Sequence, residues 1–73
     1  MIKVGDVWEI KDELGHFRKV VLKVEPYLVK TGLYMSLNNT MISSTVYEGD
    51  QPFEEIMKAQ GYRKVSGDDS NND

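Results

Sequence analysis

From Val7 to Tyr47 the chain runs in short stretches of alternating apolar and polar residues, each stopped by turn-prone residues. That period of two admits little besides antiparallel β structure. A Gly5-Asp6 turn opens the first run, which sets Trp8 and Ile10 on one side and Val7, Glu9 and Lys11 on the other. Asp12-Glu13-Leu14-Gly15 is a polar connection whose Gly can take a positive φ, and "HFRKVVLKVE" then alternates with Val20, Leu22 and Val24 aligned. The two runs make a hairpin. Pro26 has no ladder donor and biases Glu25 toward extended geometry, so the chain bends there before "YLVK". Gly32 marks a bulge or kink in the strand that follows.

Asn38-Asn39 is the strongest local signal, because Asn tolerates left-handed φ and a two-residue type I′ turn suits the flanking alternation. Such a turn places Val29, Leu33, Met35, Leu37, Ile42, Ser44 and Val46 on a core face. It places Lys30, Tyr34, Ser36, Met41, Ser43, Thr45 and Tyr47 on the opposite, solvent face. Beyond it the period changes: Phe53, Ile56 and Met57 stand at helical spacing, with Asp50 as a cap, Pro52 in the first turn and Gly61 as the residue after the helix. This predicts a helix of about nine residues, too short to persist without packing. "YRKV" reads as a short closing strand.

The expected fold is therefore mainly β: a small SH3-like antiparallel barrel of about five strands, with one short helix before the last strand. Lys3-Val4-Gly5-Asp6-Val7-Trp8-Glu9 resembles the openings of many small SH3-like and KOW-type barrels. That resemblance covers the first hairpin, implies a fold and transfers no residue role. Closure would also remove exposed edges. The alternative is an α+β arrangement, an open antiparallel sheet with the helix packed on it. Residues 1–65 make a single domain, and residues 66–73, "SGDDSNND", hold nothing apolar to bury and read as a disordered acidic tail.

A domain of 73 residues buries little core, and small domains often add disulfides or a metal. Here there is no Cys and one His, so packing or a partner must supply the stability. The lack of Cys fits a reducing compartment. The start "MIKVGDVWEI" has no apolar signal core, and no run approaches the roughly 18 apolar residues of a membrane helix. A cytoplasmic protein is the expected setting. The net charge of −3 does not describe the domain. Residues 1–34 set six bases against five acids, residues 35–65 set three against four, and the tail holds Asp68, Asp69 and Asp73 alone. The body is neutral, which argues against a dedicated nucleic-acid binder and against a DNA mimic.

No catalytic, cofactor or metal site is expected. His16 sits beside Asp12 and Glu13, which could in principle form an acid/base pair with it, but no Ser or Cys nucleophile supports it, and a solvated loop His is the simpler reading. Glu54-Glu55 suits a helix N-terminus, "DDSNND" lacks the Gly and closing Glu of a calcium loop, and the Asn38-Asn39-Thr40 sequon is explained by its turn. Phe17, Lys19 and Lys23 form an aromatic and basic strand face of the kind that holds single-stranded nucleic acid. The competing expectation is that Phe17 and Val21 pack under the N-terminal arm or the helix while the lysine stems snorkel.

One stretch stands apart. Thr31 to Tyr47 is seventeen residues without a charge, in a chain that is 29% charged. Half of it is explained by core. The remainder, Tyr34, Ser36, Met41, Ser43, Thr45 and Tyr47, lies where solvent ordinarily selects Lys and Glu, and interface centres are depleted in charge and rich in Tyr and Met. The sequence thus points to a non-enzymatic interaction module, which binds a protein partner or itself through this uncharged hairpin face. Its size and style suit a phage or mobile-element protein that binds and modulates a host protein. Single-stranded nucleic-acid binding is the alternative, and an enzyme a distant third.

Overall fold

The computed structural model describes residues 2–48 and 52–66. Five strands and one helix follow one another as β1 (Val7–Asp12), β2 (Gly15–Glu25), β3 (Leu28–Met35), β4 (Thr40–Glu48), α1 (Phe53–Ala59) and β5 (Arg63–Ser66). They form one antiparallel sheet in the order β4-β3-β2-β1-β5. The first four strands are a meander, and the chain then returns through α1 to pair β5 with β1.

The sheet is open, with β4 and β5 as its two edges. The closed SH3-like barrel expected from the element order is not formed. The physical reason lies in the cover: α1 contributes Phe53 and Met57 to a core with Trp8, Val21 and Val29, so one sheet face is buried by the helix rather than by the sheet curling on itself. Trp8 and Tyr47 both meet the Phe53 ring edge-on, at 6.2 Å and 5.1 Å between centroids.

Local chemistry sets the turns. Gly5 at φ 96° docks the N-terminal arm on β2, its N–H donating to Val21 O at 2.8 Å, while Val21 N–H donates to Asp6 O at 2.9 Å. The first hairpin is tighter than expected: Asp12 and Gly15 already pair, leaving Glu13-Leu14 as the turn. Glu25 pairs with Leu28 around Pro26-Tyr27. The helix ends as its Gly demands: Gly61 N–H donates to Lys58 O at 3.0 Å and Tyr62 N–H to Met57 O at 2.9 Å, with Gly61 at φ 98°. Its start is Pro52, and the expected cap, Asp50, lies outside the described residues. So does the expected tail, except that Ser66 closes β5.

The β3–β4 turn departs from expectation. Met35 pairs with Thr40, so Ser36–Asn39 is a four-residue connection, with Asn39 at φ 57° and its N–H donating to Met35 O at 2.8 Å. A bulge between Met41 and Ser43 then shifts the register again. The result exchanges most of the faces of β4. Rows run across the sheet as Trp8–Lys19–Leu33–Ser43 and Val21–Thr31–Thr45 on the helix side, and as Val7–Val20–Gly32–Ser44 and Glu9–Arg18–Tyr34–Met41 on the open side. Ile42 and Val46, expected in the core, are 50% and 55% exposed, and Leu37 in the turn is 90% exposed. Val29 is buried as expected, and Thr31 is fully buried. Among the described residues no helix is long and apolar enough to cross a membrane.

Candidate interaction edge

The outer edge is built from β4, whose nine residues are exposed throughout except for Tyr47, which is half-buried. Glu48 is its one charged residue. At the opposite edge β5 is four residues long and carries Arg63 and Lys64.

The six residues expected on one solvent face do not share it. Tyr34 and Met41 are neighbours on the open side, Ser36 lies in the turn, and Ser43, Thr45 and Tyr47 fall on the helix side. Ser36 N–H donates to His16 O at 3.0 Å, continuing the β2–β3 ladder by one residue. Tyr34 and Met41 converge over Gly32. A Cβ at that position would stand 2.8 Å from Met41 Cε, 3.0 Å from Tyr34 Cε1 and 3.2 Å from Leu22 Cδ1. Gly32 is therefore the floor of an apolar cluster, and the bulges fall in β2 and β4 instead. Met41, 45% exposed, leads from this cluster to Ile42 and Val46 at the edge.

Tyr47 is held inward. Its hydroxyl accepts a hydrogen bond from Lys19 Nζ at 2.7 Å, and the Lys19 ammonium lies 5.3 Å from the Tyr47 ring centroid and 5.0 Å from that of Tyr62. Lys19 is only 7% exposed, and its ammonium is held by one hydroxyl and two ring faces. Phe17 is half-buried on the same side, whereas Lys23 lies beyond the β2 bulge, exposed and paired with Glu25 at 3.1 Å. The three residues of the nucleic-acid alternative thus do not form one basic surface. Val21 packs in the core beneath α1, as the packing expectation had it.

His16 finds a partner that the sequence did not suggest. Its Nε2 lies 2.6 Å from Glu9 Oε2, while Arg63 Nη2 donates to Glu9 Oε1 at 2.9 Å. The β1–β2 register makes Glu9 and His16 diagonal neighbours on the open face, a relation visible only once the turn length is known. The hydrogen bond to His16, then that to Arg63, holds the Glu9 carboxyl below its ordinary range. This network ties β1, β2 and β5 together. A shallow pocket of about 300 Å³ beside the helix start is lined, among the described residues, by Ile2, Pro52, Glu54 and Glu55. No group of three His, Cys, Asp or Glu side chains among the described residues is placed to hold a metal ion. The arrangement's chemistry is that of a surface: an uncharged strand edge beside a small apolar cluster. Compared with family models, curated proteins and solved structures, the chain matches none.

Proposed function

We propose that this chain is a non-enzymatic protein-interaction module that engages its partner by strand addition along β4. The contrast between the two sheet edges carries the reading. Natural sheets discourage pairing with short strands and with charged side chains, above all Lys, and β5 has both features. At β4 the strand is long, free of Pro and uncharged as far as Glu48. Unpaired main-chain groups along such an edge supply affinity, and alternating side chains supply selectivity. The meander, the short helix and the return of β5 to β1 also support reading the fold as an opened relative of the small SH3-like barrels.

Affinity capture with the intact chain tests the reading. A protein retained by the parent and by Leu14→Lys, in the β1–β2 turn, but lost from Ser44→Lys at the middle of β4 is the expected result. Equal retention by all three places the binding surface elsewhere and overturns the reading.

A further inference from the structure

The edge strand reads nearly the same in both directions. Centred on Ser44, the run Met41-Ile42-Ser43-Ser44-Thr45-Val46-Tyr47 matches Ser43 with Thr45, Ile42 with Val46 and Met41 with Tyr47: hydroxyl with hydroxyl and apolar with apolar. An antiparallel pair generated by a two-fold axis opposes residues in this way, because each residue on one side of the centre meets its mirror position in the second chain. We propose that the partner of β4 is a second copy of this chain, paired antiparallel about Ser44 so that two five-stranded sheets join into one. The inference rests on the strand-addition reading and names its occupant.

The register is selective. About Ser44, Ile42 opposes Val46 of the second copy and Ser43 opposes Thr45, while Glu48 falls outside the paired run. Moving the centre to Thr45 sets Ile42 against Glu48, and moving it to Ser43 sets Ile42 against Ser44. Only the Ser44 centre keeps each apolar residue opposite an apolar one, the condition that fixes pairing in half-buried sheets. Alternation from Ser43 puts Ile42 on the open side, where the row Lys30–Val46 also lies. The opposed Ile42 and Val46 side chains, both half-exposed in the single chain, therefore share one face and extend the Tyr34–Met41 cluster across the junction. The β4 bulge limits the pairing to residues 42–46, since beyond it Met41 and Tyr47 point to opposite sides. Five residues a side make a small interface, so the dimer dissociates on dilution.

Light scattering after size exclusion, over a concentration series of the full chain, reads the first outcome: a mass rising from 8.4 kDa toward twice that value. The second outcome reads the register. Ile42→Lys and Val46→Glu each weaken self-association at least about ten-fold while retaining the parent's circular dichroism, because both side chains are half-exposed. Mixing the two variants restores a dimer, since the introduced lysine of one chain then opposes the introduced glutamate of the other. Dimers that persist in each variant alone, or a mixture that stays monomeric, overturn the proposed pairing. A parent that stays monomeric to about 1 mM, yet captures a different protein through β4, overturns the second-copy inference and leaves the strand-addition reading standing.

Discussion

Lys19 shows how a single buried cation can organise a face. Its Nζ donates to the Tyr47 hydroxyl and lies over two aromatic rings, so truncation removes packed methylenes and leaves that hydroxyl without its donor. Lys19→Ala is expected to lower unfolding stability by about 1–3 kcal/mol in chemical denaturation, and Lys19→Met, which keeps the stem, by less. Equal losses would mean that the stem contributes nothing. The burial of the Lys19 head group was not legible in the sequence, because a Lys in a strand is ordinarily assigned to water. Glu9 gives the pH dependence. Its folded-state pKa is depressed, so its contribution is fully present above the ordinary carboxylate value of about 4.5 and is lost as pH falls through the lower folded value. Acid unfolding of Glu9→Gln should therefore begin from a lower stability at neutral pH and lose less between neutrality and acid than the parent. A parallel pair of curves would remove Glu9 from the acid response. A side chain at Gly32 would displace the Met41 and Tyr34 side chains, which approach its Cβ position at 2.8 Å and 3.0 Å. Gly32→Val should lose about 1–3 kcal/mol, read by thermal unfolding.

Among the elements, what was legible followed from local backbone chemistry. Gly15 and Gly61 take the positive φ their positions suggest, Glu25-Pro26 ends a strand, and the helical spacing of Phe53, Ile56 and Met57 marks α1. Gly61→Ala is expected to lose about 1 kcal/mol or slightly more, because the left-handed conformation penalises a Cβ and the Tyr62 and Lys58 bonds depend on it. Chemical denaturation checks this, and an unchanged midpoint would mean that the helix end relaxes freely. What was not legible was register. Both faces of β2 carry apolar residues, Val20 and Leu22 on one and Phe17 and Val21 on the other, so alternation alone does not say which is core. At β3–β4 the four-residue turn and the Ile42 bulge each move the pairing, and one slip sends Tyr47 inward and Val46 outward. The candidate surface was thus recognised by its missing charge, while its composition of side chains was not.

For the whole molecule the decisive property is topological. Whether the sheet closes depends on β4 meeting β5, a relation between residues far apart in sequence that no local signal encodes. With α1 covering one face, the molecule buries Trp8, Val21, Val29, Phe53 and Met57 without closing, and β4 is left as an edge. Amide hydrogen exchange, resolved residue by residue along β4 and followed over a protein concentration series, tests that open edge most directly. Amides of Thr40–Glu48 that point away from β3 should exchange rapidly in dilute protein and slow as concentration rises, while the inner strand β2 stays protected throughout. Outward amides of β4 as protected as those of β2 at every dilution would mean that the edge is already paired within the single chain, and that would contradict the open sheet on which the proposed function rests.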